Sequence, residues 1–224
     1  MGLAVMGIVG FLVVRGELYV ADDAAATLAN LVDQASLARM GIAADLSIVL
    51  FQALASMWFF KLFRSENSFA AVSIAAFGLV NAVAIVVATA FSATALLVAG
   101  DAGLAPGADQ AATVQLLYEL NAATWSLGGL FFGLWLVPMG YVVVKYRVMP
   151  VALGWLLMVG GVTYMVDTYI SQLLTDAPEA ISAVLVGVAT LGEFWIIGYL
   201  LFLGIRKSDR VPPAGSAAGA TGAG

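Results

Sequence analysis

The chain of 224 residues contains no cysteine and no histidine, and it carries only nine basic and fourteen acidic residues. Zinc, iron–sulfur and histidine-ligated haem sites depend on these two missing side chains, so we predict no metal site and no cofactor. A Ser-His-Asp or Cys-His nucleophilic centre is excluded within the chain for the same reason. No catalytic residues are therefore predicted, and an enzyme is the least favoured class of function.

The scarcity of charge also indicates that much of the surface of the chain faces lipid rather than water. Charged residues make up 10% of the sequence and hydrophobic residues 62%, whereas a soluble domain has roughly 25% and 45–50%. A disordered chain needs low hydrophobicity, and a nucleic-acid-binding protein needs a basic face rather than a net charge of −5. We therefore expect the lipid bilayer, and no nucleic acid, as the partner of this surface.

Six segments are long enough to cross a bilayer, whose hydrocarbon core of about 30 Å requires roughly 20 helical residues. They are residues 1–20, 38–60, 69–98, 122–144, 150–174 and 180–205. A secretory signal peptide is the alternative for the first segment, but the sequence opens without the basic residues of such a signal. The sequence therefore predicts an all-α, polytopic membrane helix bundle with six transmembrane helices.

The basic residues predict the orientation of this bundle, because cytoplasmic loops are enriched in Lys and Arg. Seven basic residues follow the second, fourth and sixth segments: Lys61, Arg64, Lys145, Arg147, Arg206, Lys207 and Arg210. We expect both termini to be cytoplasmic, in the cytoplasmic membrane of a bacterium. The transmembrane domain would comprise residues 1–210, followed by a disordered tail at 211–224 that is rich in Gly, Ala and Pro. The linker 22–36 is predicted to carry a short helix behind an Asp-Asp cap.

Several motifs, in order along the chain, resemble those of a bacterial family of integral membrane proteins. They are Arg15-Gly-Glu-Leu-Tyr-Val, Ser36-Leu-Ala-Arg-Met-Gly, Phe131-Phe-Gly-Leu-Trp-Leu-Val-Pro-Met-Gly-Tyr, Met149-Pro-Val-Ala-Leu-Gly-Trp and Leu191-Gly-Glu-Phe-Trp. The family is the domain-of-unknown-function family numbered 4386, and the resemblance extends to Arg206. It implies six membrane helices and no assigned reaction. The family often has an Arg where this chain has Gly78, so no role of that Arg carries over.

Polar residues within the predicted spans are the candidates for a functional site. An ionisable group near the bilayer centre costs at least about 2.5–3.5 kcal/mol and often marks function. Asp45 shares a helix face with Gly41, Gln52 and Ser56, by the spacing of four, seven and eleven residues. We predict a polar pocket with Arg39 as the counter-charge of its acids. Its members are Arg39, Asp45, Asn81, Glu119, Asp167 and Glu193.

Two further features have alternative interpretations. Gly129 and Gly133 form a Gly-x-x-x-Gly pair, which permits close helix approach either within the chain or in a dimer, and packing within the chain is favoured. Trp125 and Trp135 lie deep in the fourth span, where they either line a ligand pocket or fill the core.

Two functions remain open from the sequence. The first is a small permease or ligand-binding membrane protein with an outer-facing acidic pocket for a small cation, a proton or a lipophilic ligand. The second is a non-catalytic scaffold or accessory subunit that meets another membrane protein. In that case the acids would only join helices, at about 0.6 kcal/mol per interhelical hydrogen bond. A wet pocket would favour the first function and a dry, packed interior the second.

Overall fold

The computed structural model describes residues 2–8, 10, 14–174 and 179–203, and their regular structure is entirely helical. The helices are α1 (Gly2–Gly7), α2 (Arg15–Leu18), α3 (Ala24–Asp33), α4 (Ala35–Phe63), α5 (Ser68–Gly100), α6 (Gln110–Tyr146), α7 (Val151–Leu173) and α8 (Glu179–Phe202). Two short 3₁₀ turns, Ala102–Leu104 and Pro106–Ala108, connect α5 to α6. The predicted all-α fold is confirmed.

Five helices, α4 to α8, are long and apolar enough to cross a membrane, and they match the second to sixth predicted spans. The protein is therefore a membrane helix bundle. The first predicted span, residues 1–20, contains α1 and α2 and lies partly outside the described residues, so the count of six stays a prediction. The orientation in the membrane also stays a prediction. The tail 211–224 and the last three basic residues lie outside the described residues.

Polar side chains fix where several helices begin. Asp23 accepts a hydrogen bond of 2.9 Å from the backbone N–H of Ala26 at the start of α3. Asn67 does the same for Ala70 at the start of α5, at 3.0 Å. Such caps satisfy backbone donors that have no partner within the helix. The helix predicted between the first two spans is thus present and begins at the predicted cap.

The long helices pack in chain order: α4 on α5, α5 on α6, α6 on α7 and α7 on α8. Helix α1 packs on α4, and α3 packs mainly on α6 and α5. Among the described helices, α8 has an extensive interface with α7 alone. The row of helices therefore has two flanks, one formed by α1 and α4 and the other by α8.

Glycines bring α6 and α7 into direct backbone contact. A Cβ atom at Gly161 would lie 2.6 Å from the carbonyl oxygen of Gly133, and one at Gly154 would lie 2.8 Å from that of Gly140. Both distances are shorter than a side chain tolerates, so only glycine fits at these positions. The structure thus places the Gly-x-x-x-Gly pair in the chain's own α6–α7 interface, which we call the glycine seam.

Two hydrophobic clusters close the ends of the bundle. The Phe63 cluster lies at the end with the α4–α5 and α6–α7 turns and includes Phe59, Phe63, Ile74, Trp135, Met139 and Leu153. The Leu31 cluster lies at the opposite end, where α2 and α3 cover α5 and α6, and includes Leu18, Leu31, Val98, Val114 and Tyr118. The space between the two clusters holds most of the polar side chains predicted to form a site.

Candidate ligand-binding cavity

A cavity of about 1120 Å³ lies between the two hydrophobic clusters. Residues of all five long helices line it, together with residues of the first twenty positions. Its volume slightly exceeds the range of about 300–1000 Å³ that is typical of small-molecule sites, and like those sites it has mostly apolar walls. The cavity is therefore large enough for an organic ligand.

Four of the six predicted site residues line this cavity: Asp45, Asn81, Asp167 and Glu193. Arg39 and Glu119 do not line it, and both are exposed. Arg39 precedes Asp45 by six residues, and at about 100° per residue this spacing turns its side chain to another face of α4. The carboxylate of Glu119 instead accepts a hydrogen bond from the hydroxyl of Tyr19, outside the cavity.

On one side of the cavity the polar side chains have partners. The guanidinium of Arg15 donates to Oδ1 of Asn121 and attracts the carboxyl of Asp45. Asn121 in turn donates through Nδ2 to the carbonyl of Ala88 at 2.6 Å and to the hydroxyl of Ser92 at 2.9 Å. We call Arg15, Asp45 and Asn121 the paired wall. The structure thus places Arg15, rather than the expected Arg39, beside Asp45.

On the opposite side, formed by α7 and α8, the described lining residues include no basic side chain. The hydroxyl of Tyr164 interacts with the carboxyl of Glu193 and faces that of Asp167. Oδ1 of Asp167 and Oε1 of Glu193 are buried, and neither has a hydrogen-bond partner among the described residues. We call Tyr164, Asp167 and Glu193 the acidic wall.

Two more buried polar side chains line the cavity without partners. Gln52 has no exposed surface, and neither its amide nitrogen nor its amide oxygen has a hydrogen-bond partner in the described part of the chain. The indole N–H of Trp135 is in the same situation, with 7% of the residue exposed. The helix face predicted for Gln52 is correct, but sequence alone does not show that its amide lacks a partner.

Aromatic rings form a continuous surface along the cavity. The ring centroids of Phe59 and Trp135 are 6.0 Å apart, those of Trp135 and Phe132 5.4 Å, and those of Phe132 and Tyr164 5.1 Å. All four residues line the cavity. Trp135 thus belongs both to the pocket and to the core, the two roles left open by the sequence. The series ends at Tyr164, and therefore at the acidic wall.

The cavity reaches the side of the bundle between α4 and α8. Leu54 and Trp58 of α4 line it and are 58% and 63% exposed. Phe194 and Leu201 of α8 also line it and are 52% and 53% exposed. Large apolar side chains on the flank of a membrane bundle face lipid. In the part of the chain that the structure describes, the cavity therefore has a side opening at these residues.

Comparison with known families matches residues 1–204 to a model described as a domain of unknown function, DUF4386. The chain belongs to the DUF4386 family. This confirms the family suggested by the sequence motifs, and it supports an integral membrane protein without assigning a reaction. No curated protein and no solved structure matches the chain.

Gly78, where the resemblance implies an Arg in other members of the family, has a clear structural role in this chain. A Cβ atom there would overlap the hydroxyl oxygen of Ser56 and lie 2.9 Å from the ring of Trp135. Gly78 therefore lets α4 and α5 approach each other closely behind the cavity. The structure has no room for a long side chain at this position.

Proposed function

We propose that this integral membrane protein binds an amphipathic small molecule in its central cavity, as a small permease or a ligand-binding membrane protein. The observation that carries the proposal is the presence of unpartnered polar atoms, on Gln52, Trp135, Asp167 and Glu193, in a mostly apolar cavity. A buried polar group without a hydrogen bond costs about 1–3 kcal/mol. A ligand with its own polar groups would supply the missing partners once these side chains turn toward it, since the atoms themselves have almost no exposed surface.

The alternative, a scaffold in which polar residues only join helices, predicts that these residues bond across helix interfaces. Two asparagines do this: Asn81 donates to the carbonyl of Gly128 at 2.9 Å, and Asn121 donates to that of Ala88. Both bonds link α5 to α6. Asp167 and Glu193 each retain one buried oxygen without a hydrogen-bond partner among the described residues, although the carboxyl of Glu193 also interacts with the hydroxyl of Tyr164 across the α7–α8 interface. The two unpartnered oxygens support binding in addition to any role of these acids in joining helices.

The apolar lining and the side opening support a lipophilic body for the ligand. Leu54 and Phe194 lie on opposite edges of the opening and face the hydrocarbon of the bilayer. A molecule that dissolves in lipid would reach the cavity directly from there. The sequence also predicts that the pocket opens toward the outside, and labelling with a membrane-impermeant maleimide tests this prediction separately.

Single-cysteine labelling tests whether the cavity is accessible, and the chain has no native cysteine to remove. Ala122→Cys places a thiol in the cavity lining, whereas Ala71→Cys places one in the Phe63 cluster, where Ala71 is 0% exposed. Labelling with N-ethylmaleimide in lipid nanodiscs should be at least about tenfold faster at position 122, because an accessible thiol ionises and reacts. A membrane-impermeant maleimide added to sealed right-side-out membrane vesicles reports whether the cavity opens to the outside.

Equal protection at positions 122 and 71 would show a dry, packed interior and would favour the scaffold. Denaturation in detergent is the control for the thiols themselves, since both variants should then label completely.

A further inference from the structure

We propose that the ligand is a lipophilic organic cation, whose charged group sits at the acidic wall beside the aromatic rings. This inference rests on the proposed function and names the class of molecule bound. Three independent features of the cavity carry it: the balance of charge, the aromatic surface and the unpartnered amide and indole groups.

The ionisable side chains of the cavity are mostly acidic. The described lining residues include three carboxyls, those of Asp45, Asp167 and Glu193, but one basic side chain, that of Arg15. Arg15 interacts with Asp45 at the paired wall, across the cavity from the other two acids. A carboxyl in apolar surroundings either takes up a proton or is stabilised by a counter-charge. A cationic ligand would supply it at Asp167 and Glu193.

The aromatic surface favours an organic cation over a metal ion. A positive group near a ring face is attracted by the π electrons, and carboxylates combined with aromatic rings suit substituted ammonium groups. Tyr164 presents both elements, because its hydroxyl faces Glu193 and its ring packs 5.1 Å from that of Phe132. The apolar space beyond these rings would hold the body of the ligand.

Gln52 and Trp135 point to a second polar group on the ligand. Both residues are more than nine-tenths buried, line the same cavity and have polar atoms without partners among the described residues. An indole N–H only donates, so its partner must accept a hydrogen bond. A carbonyl, ether or hydroxyl group at a distance from the positive charge would meet this requirement.

Binding of tetraphenylphosphonium and tetraphenylborate tests the charge preference, because the two ions share a shape and differ in sign. Radiolabelled ions are titrated onto the full-length protein in nanodiscs, with protein-free nanodiscs to subtract partition into lipid. We expect saturable binding of the cation that is at least about tenfold tighter than binding of the anion.

Glu193→Gln and Asp167→Asn should each weaken binding of tetraphenylphosphonium by about tenfold, since each removes a charge that acts in a low-dielectric site. Glu17→Gln is the matched control, because Glu17 is exposed and does not line the cavity. It should leave the Kd of the cation within about twofold. Size-exclusion chromatography shows whether each variant is folded. Because the two acids are substituted in separate variants, the test remains possible if one variant does not fold.

If the anion binds as tightly as the cation, or if the Kd is unchanged in both acid variants, the proposal of a cationic ligand is wrong, but the cavity can still bind another ligand. If neither ion binds, the proposal of a cationic ligand is also wrong. Labelling of the Ala122→Cys variant then tests the proposed function separately. A reactive thiol at position 122 would leave a cavity for an uncharged ligand, whereas a protected thiol there would overturn both proposals.

Discussion

The glycine seam between α6 and α7 and the cavity between α4 and α8 show two ways in which one bundle arranges apolar helices. At the seam, Gly133 and Gly161 bring the backbones together until no side chain fits. Across the cavity, large side chains such as Trp58 and Phe194 line an open space. Stability should therefore depend on the seam, whereas ligand binding should depend on the open side.

The largest effect on stability is expected for Gly133→Ala. The new methyl group would overlap the carbonyl oxygen of Gly161. A backbone atom cannot relieve this overlap by a change of side-chain rotamer. Overpacking of this kind costs up to about 3 kcal/mol. Gly187→Ala in α8 is the control, because a Cβ atom there meets nothing within 4 Å. Unfolding free energies in detergent should separate the two variants, and similar values would contradict the tight seam.

A smaller effect is expected from a matched pair of Ala→Leu substitutions. Ala71 is 0% exposed and packs in the Phe63 cluster, so Ala71→Leu should cost about 1–2 kcal/mol by overpacking. Ala122 lines the cavity and belongs to neither hydrophobic cluster. Ala122→Leu should therefore alter the unfolding free energy by less than about 0.5 kcal/mol. Equal losses in the two variants would show that the cavity is filled by protein.

The paired wall is tested by a double-mutant cycle on Arg15 and Asp45. Arg15→Gln removes the charge beside Asp45, and Asp45→Asn removes the charge beside Arg15. Because each single change removes an attraction that the other charge experiences, the double variant should be more stable than the sum of the two losses implies. We expect a coupling energy of about 1 kcal/mol in unfolding measurements. Additive losses would mean that the two side chains act independently.

The smallest effect is expected for Glu119→Gln, which tests the boundary of the cavity. Glu119 is exposed and bonds to Tyr19, so its loss should cost no more than about 1 kcal/mol. Binding of tetraphenylphosphonium should be unchanged. A loss of binding that matches the one in Glu193→Gln would instead place Glu119 in the site, as the sequence predicted.

The sequence predicts well those features that depend on local periodicity. The spacing of Gly41, Gln52 and Ser56 identifies the inward face of α4, and all three are buried. Asp23 marks the start of α3 as expected. Such features follow from the geometry of one helix, so they do not require knowledge of which helices are neighbours.

Features that depend on neighbouring helices could not be predicted. Arg39 lies near Asp45 in sequence, but helix rotation separates them, whereas Arg15 reaches Asp45 from another helix. The Gly-x-x-x-Gly pattern likewise indicates close packing without identifying Gly161 as the partner. Pairing between helices is a property of the tertiary fold, and a single sequence carries no direct record of it.

The central claim, a cavity that holds a lipophilic cation at its acidic wall, is tested most directly by ligand protection of a single cysteine. Thr190 lines the cavity near Tyr164, and Ala112 is an exposed residue outside it. Tetraphenylphosphonium at about ten times its Kd should slow maleimide labelling of Thr190→Cys about tenfold and leave Ala112→Cys unaffected. An unchanged labelling rate at position 190, with the cation at that concentration, would contradict the claim.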